Sequence, residues 1–151
     1  MLSGNDNHIA GMGRQGADSI LSSNWGYETH LSERVVPVSQ LMRDAGYHTY
    51  TVGKWHLGEE EENSPLAKGF ERSWNLLYGA GNHYNKVGLS MSKPLSKYRE
   101  NGKLVEYPEG RYSTEFYTST LIEYLKQDKD DENPFLLLPH LLPLTGHCRR
   151  H

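Results

Sequence analysis

The sequence predicts an α/β fold, and three observations carry that prediction. In "VPVSQLMRDAG" the apolar Val38, Leu41, Met42 and Ala45 recur at i, i+3, i+4 and i+7, the spacing of one helical face. Gly46 then stands where a left-handed helix terminus belongs, and "YHTYTV", rich in aromatic and β-branched residues, follows as a strand. Near the other end a second helical pattern leads through "DKDDENP" into the apolar run "PFLLL". Helix, short turn and strand in succession are the parts of βαβ construction.

Before the first helix, glycines at 4, 11, 13, 16 and 26 mark irregular loop. Between 59 and 111 the chain reads mostly as loop, interrupted by the aromatic patch "GFERSWNLLYG". Asn101-Gly102 is the dipeptide of a tight hairpin turn, although the alternation on either side is poor. The second helix is expected from about Ser113 to Gln127, with Ser113 or Thr114 as its N-cap. Its apolar stripe is Phe116, Tyr117, Leu121, Ile122 and Leu125, and "PFLLL" is expected to be a short buried strand.

The composition narrows the function. Only 36% of the 151 residues are hydrophobic and the mean hydropathy is −0.74, so one domain or a piece of a larger one is expected. Sixteen basic against nineteen acidic side chains give a net charge of −3, which offers no basic field for nucleic acid or an anionic membrane. No apolar run approaches the length of a membrane span. Residues 1 to 20 are polar and glycine-rich, without the pattern of a signal peptide. Cys148 is the single cysteine, so neither an internal disulfide nor a multi-cysteine zinc site can be built.

The chemistry concentrates in "GYHTYTVGKWHLG", where Lys54 and His56 stand two apart between Gly53 and Gly58. In an extended segment residues i and i+2 point to the same side, so both would reach one space while Trp55 turns into packing. A point-charge ammonium beside an imidazole at the carboxyl end of a strand suits a substrate bearing anionic oxygens. The imidazole can hand a proton to a leaving oxygen. Spacing alone also describes a surface lysine next to a packed histidine. Loop histidines His8 and His83 are expected to serve structure, Asp6 to form an Asx-turn, and Glu59 to Glu62 to be a solvated loop.

"GYHTYTVGKWHLG" resembles the second signature of the sulfatase family. "MLSGNDNHIAGMG", "GYETHLSERVVPVSQLMRDAGYHT", "KGFERSWNLLYGAGNHY" and "YSTEFYTSTLIEYL" resemble arylsulfatase segments in the same order, over about residues 1 to 138. The resemblance implies a partial alkaline-phosphatase-like α/β sandwich, an incomplete central sheet with flanking helices. It implies hydrolysis of small-molecule sulfate esters with a formylglycine nucleophile and calcium. On this reading Lys54 contacts the sulfate and the leaving oxygen, and His56 hydrogen-bonds the nucleophile side of the centre. The family's nucleophile motif C-x-P-x-R and its metal-ligating residues are not found here, and Cys148 in "CRRH" lacks the spacing to replace the former. The chain is therefore expected to be inactive alone. A phosphonate or phosphodiester hydrolase of the same superfamily, or a non-catalytic anion- or partner-binding product, are the alternative readings.

The family's P-H-x-P motif, whose histidine contacts sulfate, is poorly matched by "PHLLPLTGHCRRH", with His140 as the candidate. Codons compatible with Leu142 to Arg150, read two bases later, encode A-P-H-W-P-L-Q-T, which is that motif. A frame error near residues 138 to 141 is expected, with residues 139 to 151 as a divergent tail.

Overall fold

The computed structural model describes residues 2–14 and 23–141. Helix α1 spans Val38–Asp44 and strand β1 His48–Lys54. A 3-10 turn at Glu61–Asn63 precedes β2, Arg72–Leu76. Then come β3 (Val87–Ser90), β4 (Lys93–Leu95), β5 (Tyr98–Glu100) and β6 (Lys103–Val105). Helix α2, Ser113–Gln127, leads to β7, Phe135–His140. The main sheet has the order β6-β5-β2-β1-β7, with β7, β1 and β2 mutually parallel, β5 antiparallel to β2, and β6 antiparallel to β5. Strands β3 and β4 form a separate two-stranded ribbon.

The alternation of β1 decides its two faces. Tyr50 and Val52 join Trp74 and Leu76 of β2 in the main core, against Phe116, Tyr117 and Tyr124 of α2. Trp74 meets Phe116 edge-on at 4.7 Å between centroids. Burying each such side chain contributes about 1.5–3 kcal/mol. The opposite positions are small and polar yet fully buried: Thr49, Thr51, Ser73 and Asn75. Thr49 donates to the Gly69 carbonyl at 2.9 Å and Thr51 to that of Leu138 at 2.8 Å, as buried hydroxyls require.

Several expectations need correcting. The region 59–111 is mostly loop, as expected, but β2 lies inside the aromatic patch and is a central strand, masked because Ser73 and Asn75 are as buried as Trp74 and Leu76. Helix α1 does not bury its apolar face, for Leu41 is 56% exposed and Ala45 is exposed too. Its inward side is set instead by Ser39, whose hydroxyl donates to the Lys68 carbonyl at 2.5 Å. In α2, Ile122 faces solvent and Tyr124 is buried in its stead. The N-cap of α2 is Tyr112, with no side-chain bond; the His83 carbonyl accepts from Ser113 N at 2.8 Å and satisfies one of the orphan donors. Strand β7 is the edge of the sheet among the described residues, and Phe135 is 37% exposed, so "PFLLL" is half-covered rather than buried.

The expected hairpin at Asn101-Gly102 joins β5 to β6, both turn residues having positive φ (46° and 82°). Asn101 also docks on β2, accepting from Ser73 N at 2.8 Å through its side chain. No helix among the described residues is long and apolar enough to cross a membrane. Cys148 and residues 142–151 of the expected divergent tail lie outside the described residues.

Candidate functional site

Parallel pairing puts the carboxyl ends of β1 and β7 side by side, with Gly53 opposite His140. Gly53 has φ +97°, and a Cβ there would run into the His140 carbonyl. Only glycine permits both the conformation and the approach. The next residue, Lys54, ends β1 half-buried.

After Lys54 the chain is pinned by Trp55, which is 4% exposed. Its backbone N–H donates to Leu76 O at 2.8 Å and its indole N–H to Asn63 O at 2.8 Å. His56 then adopts φ +56°, a left-handed conformation unusual outside glycine. Lys54 and His56 are therefore not two steps along one strand, as the spacing suggested. The strand stops at Lys54 and the chain bends at His56. Gly58, φ +125°, completes the expected sharp turn; a Cβ there would meet the side chains of Asn63 and His30.

Lys54, His56 and His140 nevertheless share one electrostatic neighbourhood. Burial lowers the His56 pKa, and the Lys54 and Lys93 ammonium groups lower it further against the pull of Glu59. The protein packed around the His140 ring lowers its pKa too, although part of its surface stays open to solvent; the Lys54 charge contributes, while a hydrogen bond to the Lys54 backbone opposes the shift. Both imidazoles are thus biased toward the neutral form near neutral pH, beside a lysine. Such a group can take up anionic oxygens and transfer a proton. The His56 Nδ1 is buried with no hydrogen-bond partner. The ring also lines a cavity of about 310 Å³ with Thr29, His30, Glu59, Glu60 and Lys93.

The other candidates divide clearly. Asp6 forms the Asx-turn, accepting from His8 N at 2.9 Å. His8 lies between Asp6 (3.3 Å) and the Tyr27 hydroxyl (3.2 Å). His83 is buried, 2.6 Å from Ser113 Oγ, and stacks on Tyr112. The acidic run is only partly a solvated loop: Glu59 pairs with Lys93 and Lys97 and, like Glu60, lines the cavity. Gly79, Lys93 and His30 escaped the sequence reading, since none lies within a chemical spacing pattern. Among the described residues no group of three or more His, Cys, Asp or Glu is placed to hold a metal ion. The described residues thus offer no such ligand cluster for calcium.

The Sulfatase family profile matches residues 1–143, so the chain belongs to the sulfatase family. It is 35% identical to an uncharacterized sulfatase of Schizosaccharomyces pombe, over 95% of this chain and 28% of that protein. It is 30% identical to the arylsulfatase of Klebsiella aerogenes, over 95% of this chain and 31% of the relative. The chain thus spans under a third of the length of these relatives. Among solved structures it resembles Ps i-CgsB, crystallised with a neocarrahexaose (TM-score 0.63, 24% identity, 77% of this chain and 28% of that one). It also resembles the PsFucS1 sulfatase of Pseudoalteromonas sp. (TM-score 0.51, 18% identity, 76% and 26%). The fold is a part of the alkaline-phosphatase-like architecture of sulfatases, with a central, mostly parallel sheet.

Proposed function

We propose that this segment forms one wall of a centre that hydrolyses sulfate esters. The observation that carries the reading is the convergence of Lys54, His56 and His140 at the carboxyl ends of two neighbouring parallel strands. Ligands of open α/β sheets bind at that edge. Lys54 neutralises the sulfate oxygens and the charge that grows on the ester oxygen. His56 and His140 hold hydrogen bonds to the sulfate oxygens, and His56 has a proton to exchange beside the nucleophile. In the net reaction water adds to sulfur, the S–O ester bond breaks, and the alcohol leaves with a proton.

In the family this chemistry uses a formylglycine nucleophile and a divalent cation. Since no described cluster fits a cation, no step is assigned to it in this chain, and the isolated chain is proposed to be catalytically silent. Its substrate would be a small sulfate ester.

The test is a titration of the 151-residue chain with sodium sulfate, followed by NMR of the histidine ring protons. Sulfate should move the His56 and His140 signals and raise both pKa values. Lys54→Ala should weaken the response about tenfold or more, the effect of losing a charged hydrogen bond. Lys129→Ala, a change at an exposed lysine, should not. Equal responses from wild type and Lys54→Ala would overturn the proposal.

A further inference from the structure

Glu59 was expected in solvent, yet four side chains from β2 to β5 and their connections organise it. Arg99 of β5, 9% exposed, donates to the Glu59 carbonyl at 3.3 Å and 3.4 Å and to Gly102 O at 2.7 Å. The Glu59 carboxylate takes a hydrogen bond from Lys93, lies 3.8 Å from Lys97 Nζ, and adds to burial in raising the pKa of the Tyr78 hydroxyl. Lys93 in turn sits 3.9 Å above the Tyr78 ring. A merely solvated glutamate needs no such scaffold; a buried arginine holding its backbone fixes where its carboxylate points.

That carboxylate faces the cavity into which His56 also opens. Its volume of about 310 Å³ lies at the small end of ligand sites. The lining is polar apart from Leu77, with Glu60 and Asn63 completing the Glu59 side. The Tyr78 ring, a nearby phenol face on which an aromatic group could stack, is covered by Lys93. Carboxylates accept hydrogen bonds from hydroxyls and repel a second anion.

Resting on the proposed sulfate chemistry, we infer that the Glu59–Lys93 pair, with Glu60, selects the alcohol part of the ester. It favours a polyhydroxylated, non-aromatic group carrying no second negative charge. Glu59 and Glu60 accept its hydroxyl protons, and Lys93 holds Glu59 in place while closing off the Tyr78 face.

Dissociation constants from the same histidine signals test this on the 151-residue chain. The probes are inorganic sulfate, galactose 6-sulfate, galactose 2,6-disulfate and 4-nitrophenyl sulfate. Galactose 6-sulfate should bind about tenfold more tightly than 4-nitrophenyl sulfate, the scale of one hydrogen bond to a carboxylate. Glu59→Gln should bring that ratio close to one. Glu60→Gln, a change at an exposed position that the fold tolerates, should narrow the preference for monosulfate over disulfate. If inorganic sulfate binds with its Lys54 dependence but the aryl and sugar esters bind alike, the selectivity inference falls and the sulfate site stands. If the ratio persists in Glu59→Gln and the monosulfate preference in Glu60→Gln, these residues are not the determinants. If no probe moves the His56 signal, the underlying sulfate reading falls with it.

Discussion

Gly79 lies flat against the imidazole of His56. A Cβ at position 79 would sit 2.6 Å from Cε1, 2.8 Å from Nδ1 and 3.1 Å from Nε2 of that ring. The contact has its origin in β-sheet register. Lys54 pairs with Leu76, and Trp55 N donates to Leu76 O, so the chain beyond β2 continues alongside the chain beyond β1. His56, held in a left-handed conformation by the anchored Trp55 before it, is left with the backbone at Gly79 as its backing.

Replacing Gly79 with alanine is therefore expected to push the His56 ring toward the cavity. Overpacking of this kind costs about 1–3 kcal/mol of stability. The more telling readout is the His56 titration, since the displaced ring gains solvent and its lowered pKa should move back up toward the ordinary histidine value. An unchanged His56 titration curve in a folded Gly79→Ala protein would show that the contact does not position the ring.

Gly53→Ala tests the other side of the site. The substitution combines a positive φ with a Cβ driven into the His140 carbonyl, a backbone atom that cannot rotate away. Left-handed strain and the clash together should cost about 2 kcal/mol or more. The damage should be local to the β1–β7 seam. Amide exchange should accelerate at Leu138 and His140 before it does so between β2 and β5. Loss of protection spread evenly over the sheet would argue against this account.

Much of this was legible in the sequence because local chemistry and tertiary structure agree there. Gly46, Gly53 and Gly58 punctuate a helix, a strand and a turn, and each adopts the positive φ for which glycine is suited. Strand β2 was hidden because its inward residues on one face are Ser73 and Asn75, which read as loop although they are fully buried. The face of α1 was misread because Ser39, not Leu41, makes the tertiary bond. Glu59 was misread for a different reason: Lys93, Lys97 and Arg99 reach it from 34 to 40 residues away. No local pattern encodes that encounter.

The lysine prediction follows from charge. The 151-residue chain should leave 4-nitrophenyl sulfate unhydrolysed, as the C-x-P-x-R motif is not in its sequence and no described cluster fits a cation. Activity is expected when this segment replaces the matching stretch of the Klebsiella aerogenes arylsulfatase. In that chimera Lys54→Ala should lower kcat/KM by about 2–4 kcal/mol of transition-state stabilisation. Lys54→Arg should recover little, because a planar fork does not replace a point charge. Kinetics unaffected by Lys54→Ala would return this lysine to the surface. Turnover by the isolated chain that survives mock-purification controls would overturn its proposed silence.

At the opposite end of the sheet, His48 predicts how stability depends on pH. Its Nδ1 lies 2.8 Å from Glu71 and its Nε2 2.8 Å from Asp131, while the ring stacks between Tyr50 and Phe135. A neutral imidazole has one N–H and can satisfy only one carboxylate, so both contacts require the imidazolium. Hydrogen bonds to Asp131 and Glu71 accordingly raise the His48 pKa above 6.5, against the opposing effect of burial. A raised folded-state pKa means that the stabilisation is fully present below the unfolded value and is lost as pH rises through the folded one. Asp131 shifts the other way, lowered chiefly by His48, so its contribution is present above its unfolded pKa and fades as acid titrates the folded carboxylate. The clamp joins the start of β1, the residue before β2 and the connection from α2 to β7. It should therefore hold best in mildly acidic solution, between the two titrations. Urea midpoints measured from about pH 5 to about pH 9 should fall across the His48 titration, and His48→Gln should flatten that part of the profile. The same slope in wild type and His48→Gln would mean that another group sets it.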